Sequence, residues 1–306
     1  MITKYIKYLF TEPGWIIANT FLGRYLSDRL FLKIKYKHII GEYPNLEHPV
    51  GFNEKIQWLK LYHRIPILTQ LVDKFEAKQY VSREIGREYV IENYGVWDDF
   101  DDINFNILPE QFVLKTTHDC GGVVICRDKN SFDFKAAKRK LTKHLTSNHY
   151  YTNREWAYKS VKPRIIAEKY FTNGSEEGES EELIDYKFSC FSGEPKLLQI
   201  STGRFGAGLR HNFYDMNFQR LNIIKFKGGT TTELEKPEGF EKMIQFAKQL
   251  SSIYPFVRID FYNINGQIYF GEFTFYPGGG FSLFKPDEWE QKAGDWIDLP
   301  RLKDGN

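Results

Sequence analysis

The sequence predicts an α+β fold, in which antiparallel hairpins are interleaved with amphipathic helices, and three observations lead there. Short apolar runs come in pairs across tight turns: Phe112–Thr116 and Val123–Cys126 around Gly121-Gly122, Asp185–Phe191 and 196–200 around Ser192-Gly193-Glu194-Pro195, 256–262 and Gln267–Thr274 around Asn265-Gly266. Helical spacing separates the pairs, as at Phe240, Met243, Ile244, Ala247 and Leu250, which fall on one face. The strands follow each other through turns rather than through regular crossover helices, which favours antiparallel sheets over a doubly wound parallel one.

The elements follow in chain order. Residues 1–70 read as a helical, basic extension, in which Tyr5, Tyr8, Leu9, Trp15, Ile16 and Phe21 alternate with Lys4, Lys7, Arg24 and Arg29, followed by Lys33, Lys35 and Lys37. Such helices either pack on the main body with their lysines solvated or lie on a membrane surface or partner. A helix from Asn53 through Ile56, Trp58 and Leu59 to Tyr62 ends before Pro66. Residues 71–110 read as a helix from Val72 to Val81 and a turn-rich linker over 95–109. A smaller lobe over 111–168 holds the first hairpin, a helix at Phe134–Leu145 and a strand over 164–171. A larger lobe, 169–306, opens with an exposed Gly/Ser/Glu loop at 173–182 and holds the remaining hairpins.

Composition narrows the class. The 306 residues are 42% hydrophobic and 27% charged, as in folded proteins. A net charge of +2 gives no global field for nucleic acid, and no nucleic-acid module is present. Cys120, Cys126 and Cys190 are odd in number and form no CxxC pair, which fits a reducing compartment and neither a disulfide framework nor a zinc site. No apolar run approaches the ~20 residues that span a bilayer. The N-terminus lacks a clean signal peptide, so a cytoplasmic location, with the inner membrane face as a variant, is expected.

The last hairpin carries the most chemistry. Strand alternation puts Arg258 with Asp260 on one face and Glu272 with Thr274 on another. If the faces coincide, two carboxylates meet among Val257, Ile259, Phe261, Tyr269 and Phe270. They then share a divalent ion, for which oxygen ligands select Mg²⁺, or form an Arg–carboxylate pair on a polar face. Lys115 lies mid-strand before His118-Asp119-Cys120-Gly121-Gly122, a turn that either lets backbone N–H groups approach a phosphate or merely closes a hairpin. Glu168 sits in an apolar strand before Lys169, Tyr170 and Phe171, where an adenine could bind, and Asp185 shares a strand face with Lys187. Arg204, Arg210, His211 and Asn212 lie in a Gly-rich stretch that either holds an anionic substrate or is a surface loop. No hydrolase triad motif and no histidine spacing for a metal is present.

In this order the motifs resemble ATP-grasp proteins, which hold ATP and Mg²⁺ between two α+β lobes with antiparallel sheets. The Glu168-Lys169-Tyr170-Phe171 strand, Arg258-Ile259-Asp260 and Glu272-Phe273-Thr274 are most similar to D-alanine–D-alanine ligases. The likeness implies adenine at Glu168, Lys169, Tyr170 and Phe171, ribose near Asp185, and phosphates at Lys115, Lys187 and the Asp119, Gly121, Gly122 flap. It further implies metal at Asp260 and Glu272, and Arg258 on developing charge. Thr274 stands where those ligases carry Asn and offers a single oxygen.

A closer resemblance, to TupA-like ATP-grasp proteins, rests on 52–60 (Phe-Asn-Glu-Lys-Ile-Gln-Trp-Leu-Lys), Val72-Asp73-Lys74, Phe112-Val113-Leu114-Lys115, His118-Asp119, Glu155-Trp156 and Lys162-Pro163-Arg164. Asp185-Tyr186-Lys187-Phe188, Asn212-Phe213-Tyr214-Asp215 and the 272–281 stretch complete it. That family is linked to bacterial surface polymers, and its members are often labelled glycosyltransferases. The resemblance therefore implies an ATP- and Mg²⁺-dependent carboxylate–amine ligase acting through an acyl phosphate on a surface polysaccharide or its precursor. The partners would be a small or polysaccharide-linked carboxylate and an amine, with Arg204, Arg210, His211 and Asn212 holding the acceptor. The alternatives are a glycosyltransferase, whose only Asp-x-Asp-like run is Asp98-Asp99-Phe100-Asp101-Asp102, and a non-catalytic ATP-binding scaffold.

Overall fold

The computed structural model describes residues 13–171, 183–202, 210–225 and 234–302. The 173–182 loop and Arg204 lie outside them.

Among the described residues ten strands make two antiparallel sheets. The smaller contains β1 (Asn93–Trp97), β2 (Phe112–Thr116), β3 (Val123–Cys126) and β4 (Ile165–Lys169) in the order β1-β4-β2-β3. The stretch 95–109, expected as a turn-rich linker, therefore begins inside an edge strand, with Val96 opposite Ile166. Gly95 hides that strand in the sequence, because it interrupts the apolar alternation. A Cβ there would meet the Trp97 ring at 2.4 Å. Alternation along β2 and β4 sorts the rest: Phe112, Leu114, Ile165 and Ala167 pack with Ala137 and Leu141 of the helix Phe134–Leu145. Val113, Lys115, Ile166 and Glu168 take the opposite face, where Val113 pairs with Glu168 and Lys115 with Ile166.

The larger sheet contains β5 (Asp185–Phe191), β6 (Glu194–Thr202), β7 (Arg210–Tyr214), β8 (Arg220–Leu221), β9 (Phe256–Ile264) and β10 (Gln267–Thr274), ordered β10-β9-β5-β6-β7-β8. Asn265 and Gly266 both have positive φ, as a two-residue hairpin turn demands. One face of this sheet, with Phe188, Cys190, Val257, Ile259 and Phe261, is buried with Phe240, Met243, Ala247 and Leu250 of the helix Phe240–Ser251. The other face is divided. Phe191 and Phe256 pack edge-on against Phe52 of the helix Phe52–Tyr62, at 6.1 and 5.0 Å. Further along β5 and β9 the same face turns polar, with Asp185, Lys187, Arg258 and Asp260.

A glycine arm after β10 fixes the helix Phe52–Tyr62 to this frame. Gly278, Gly279 and Gly280 have φ of 60, 63 and 66°, a left-handed run that only glycine adopts cheaply. The arm turns its carbonyls onto the helix: Gln57 Nε2 donates to Gly279 (3.2 Å), and Lys60 Nζ donates to the Asn153 carbonyl and Gln57 Oε1 at 2.9 and 2.8 Å. Burial drives the Lys60 ammonium down to about 7, with Glu155 opposing the shift. Asn53, at the start of the same helix, donates its Nδ2 to Glu290 of the helix Glu288–Asp295 at 2.8 Å. A Cβ at Gly280 would lie 2.7 Å from Ile56. Gly280→Ala is expected to lose about 3 kcal/mol of stability, combining the left-handed backbone cost with overpacking, as read from the urea midpoint.

Candidate functional site

A cavity of about 360 Å³ lies between the two sheets. The small sheet lines it with Val113, Lys115, Val123, Ile125 and Glu168, and the large sheet with Asp185, Lys187, Asp260, Tyr262 and Glu272.

On the large sheet the register brings the charged residues together. Lys187 faces Asp260, and Asp260 faces Glu272. The two faces of the last hairpin do coincide, but through a device the alternation conceals. A bulge between Phe270 and Glu272 places Gly271 out of register, so Phe270 pairs with Phe261 toward the core while Glu272 stays beside Asp260. Arg258 is the hub. Its Nε and Nη2 donate to the two Asp260 oxygens at 2.6 and 2.7 Å, and Nη2 also reaches Glu272 Oε1 (3.1 Å) and Thr274 Oγ1 (3.0 Å). Lys187 Nζ donates to Asp260 Oδ2 at 2.6 Å and lies 3.2 Å from Asp185 Oδ2. Burial pushes the Asp260 carboxyl up, but Arg258 and Lys187 outweigh it and hold the group below the usual carboxylate range.

The small sheet supplies a second buried carboxylate. Glu168, expected beside an adenine, is held between Lys78 and Lys115, each 2.6 Å from one of its oxygens. Its side chain is therefore already committed to cations. Burial raises the Glu168 carboxyl, yet Lys115 and Lys78 bring it down to about 2. Lys169, Tyr170 and Phe171 all line the cavity. The Tyr170 hydroxyl accepts from Arg127 Nε at 3.2 Å, and the Phe171 ring lies 4.9 Å from Tyr269.

The turn between β2 and β3 is tied from within. Asp119 bonds the Thr116 hydroxyl through one oxygen and His144 Nδ1 through the other, so its carboxylate is engaged inside the turn and its Cys120-Gly121 neighbours line the cavity. Gly121 has φ of 99°, and a Cβ on Gly122 would lie 1.8 Å from Thr116 Oγ1, so both glycines are required by the turn itself. Lys74 Nζ donates to the Asp119 carbonyl.

The candidate substrate group is split. On β7, His211 pairs with Ser201 in the row of Asp185, whereas Arg210 and Asn212 pair with Thr202 and Ile200 on the opposite face. His211 Nδ1 is 2.9 Å from Ser201 Oγ and 3.0 Å from Gln199 Nε2. Asn212 is buried. Strand alternation thus keeps Arg210, His211 and Asn212 from converging on one anion. The Asp98–Asp102 run lies on the surface, with Asp98 paired to Lys162 and Asp101 to Lys138.

Two cations were not singled out from the sequence. Lys74 and Lys78 stand one turn apart on the helix Lys74–Glu84, and both reach toward the cavity side. Lys78 packs beside buried Ala77 and one turn before buried Val81, in a helix whose charged sequence gave no signal of it. Asp73 caps that helix by accepting from the Phe75 and Glu76 N–H groups, and Arg164 binds Asp73 at 3.0 Å.

Among the described residues no group of three or more His, Cys, Asp or Glu could hold a metal unaided. Asp260 and Glu272 stand side by side, but Arg258 and Lys187 already hold both Asp260 oxygens, so an ion there would share them and take most of its oxygens from bound phosphates and water, as Mg²⁺ does. The Thr274 hydroxyl is 3.3 Å from Glu272 Oε1 on the same edge.

Glu168 yields a pH test. Its folded value lies below the ~4.3 of a free Glu, so its contribution is present above ~4.3 and fades as pH falls toward 2. Glu168→Gln is expected to cost about 3–5 kcal/mol near neutrality by leaving Lys78 buried without its counter-charge. Urea unfolding across pH should show a constant gap to wild type above pH ~5 that closes on acidification.

A sequence profile described as TupA-like ATPgrasp matches residues 54–298. No curated protein matches significantly. Among solved structures, the D-alanine–D-alanine ligase of Bacillus anthracis complexed with ATP is 16% identical, with 68% of this chain and 55% of that chain covered, at a TM-score of 0.38. The D-alanine–D-alanine ligase of Helicobacter pylori is 14% identical over 80% and 69% of the two chains, at 0.42. The L-amino acid ligase of Bacillus licheniformis is 10% identical over 84% and 57%, at 0.45. The chain thus spans little more than half the length of the first and last of these. These structural likenesses are remote, whereas the profile runs through both sheets: the chain belongs to the TupA-like ATP-grasp family.

Proposed function

We propose that the protein is an ATP- and Mg²⁺-dependent carboxylate–amine ligase that modifies a surface polysaccharide or its precursor. One observation carries the reading: a single cavity is lined by Lys115 and Glu168 on one wall and by Lys187, Asp260 and Glu272 on the other, with Lys78 and Arg258 bonded to the carboxylates from behind.

In this reading the nucleotide base lies along the end of β4, between Tyr170, Phe171 and the apolar Val113 and Ile91, using backbone groups because the Glu168 carboxylate is committed. The phosphates reach Lys115 and Lys187, with Lys78 keeping Glu168 ionised and Lys115 oriented. Asp260 and Glu272 would hold Mg²⁺, which when bound offsets phosphate charge and so eases attack by an anion. A substrate carboxylate oxygen attacks the terminal phosphorus, ADP leaves, and an acyl phosphate forms. The amine nitrogen then bonds to the acyl carbon, phosphate departs and the nitrogen loses a proton. Arg258, fixed by three partners, is preorganised to face the charge that develops. His211, with Gln199 and Ser201 on the Asp185 side, is the better-placed acceptor contact; Arg204 and Arg210 are further candidates, and Asn212 is set in the other face.

The acceptor is expected to be a uronic-acid or amino-acid carboxylate. Phosphate release from ATP and Mg²⁺ should depend on such an acid, and Glu272→Ala should lower it by about 10²–10³-fold. Binding of a UDP-sugar in place of ATP would restore the glycosyltransferase reading. ATP binding without turnover across the acid panel would favour a scaffold.

A further inference from the structure

The first forty residues carry Lys4, Lys7, Arg24, Arg29, Lys33, Lys35 and Lys37 against Glu12 and Asp28, while the whole chain is only +2. The remaining chain is therefore net acidic, and positive charge is concentrated at one end. The described part of this end is two-sided. Phe31, Leu32 and Tyr36 of the helix Asp28–Ile40 turn inward with Ala18 and Phe281 to form a small core of their own. Outward, Ile17, Phe21, Leu22 and Tyr25 are all exposed within nine residues, Phe21 at 71% and Tyr25 at 83%. Leu30 and Ile39 are exposed on the helix that follows. Single exposed apolar side chains are ordinary, but such a cluster marks a contact surface.

This display is fixed in place. Arg154, 1% exposed, donates through Nη2 to the carbonyls of Gly23 (2.6 Å) and Leu26 (3.3 Å). Its Nε lies 3.1 Å from Asp28 Oδ1, and its guanidinium stacks 4.3 Å from the Phe31 ring centre. A Cβ at Gly23 would sit 2.2 Å from the Ala18 carbonyl, so the turn closes only with glycine. A buried cation thus holds the turn that points Phe21, Leu22 and Tyr25 outward.

The cations decide the partner. Arg24 and Lys37 are exposed and Lys33 is half-buried, whereas Asp28 is taken up by Arg64 and Arg154. A second copy of this surface would bring like charges together. Aromatic and aliphatic side chains interleaved with Lys and Arg fit instead the boundary of an anionic bilayer, where rings sit among headgroups and cations meet phosphate. We propose that residues 13–40 form a peripheral docking surface for anionic phospholipid membranes, an inference independent of the reaction in the cavity.

The test is co-sedimentation of the full chain with vesicles of phosphatidylcholine containing a quarter phosphatidylglycerol, beside vesicles of phosphatidylcholine alone. Binding is expected to the anionic vesicles only and to weaken at high salt. Phe21→Ser/Leu22→Ser/Tyr25→Ser should reduce partitioning by about tenfold or more. Arg24→Glu/Lys33→Glu should reduce it by about 30-fold or more, at about 1 kcal/mol for each of the two cations lost near the surface. Thermal unfolding like wild type establishes that both variants are folded. Absence of binding to the anionic vesicles, or wild-type binding by both variants, would overturn the proposal. So would a salt-resistant dimer of the wild type that the triple variant dissolves.

Discussion

Charge set between two sheets must be neutralised there, and this constraint organises the molecule. Asp260 is almost wholly removed from water and is matched by Arg258 and Lys187 from its own sheet. Glu168 is equally buried and is matched by Lys115 from its sheet and Lys78 from a helix. Each carboxylate alone would be costly, and each cation alone as costly. Together they leave both cavity walls polar while the outer faces of the sheets remain apolar. A polyanion entering such a cavity meets cations that are already desolvated and aimed, so little reorganisation remains at the moment of binding.

The frame that keeps the walls apart is built from groups distant in sequence. The glycine arm after β10 and the helix Phe52–Tyr62 join through carbonyls that Gln57 and buried Lys60 satisfy. Asn53 and Glu290 tie the other end of that helix to the C-terminal segment. Arg164 and Asp73 do the same for the helix that delivers Lys74 and Lys78. Several residues of the family motifs therefore contribute by holding elements in place, and the cavity depends on them without containing them.

Much of this was legible in the residues. The Asn265-Gly266 turn with its flanking apolar runs defined the last hairpin, and the 3.6-residue spacing at Phe240, Met243 and Ala247 defined the helix beneath it. That Arg258 and Asp260 share a strand face followed from a period of two. What stayed hidden had physical causes: Gly95 removed the alternation that marks β1, and Lys78 sat in a helix whose sequence reads as an ordinary charged surface. The grouping of Arg210, His211 and Asn212 read proximity in sequence as proximity in space, which a strand contradicts by sending neighbours to opposite faces.

By itself the sequence determined the main hairpins, the amphipathic helices between them and the family that the motifs resemble, because these are set by local sterics and by periodicity. Tertiary structure alone decided the ion pairs. A bulge at Gly271 keeps Glu272 beside Asp260, and a helix crossing the strands brings Lys78 to Glu168. The pairing of buried charges depends on register and on the placement of whole elements, and neither quantity is written in any local stretch of residues.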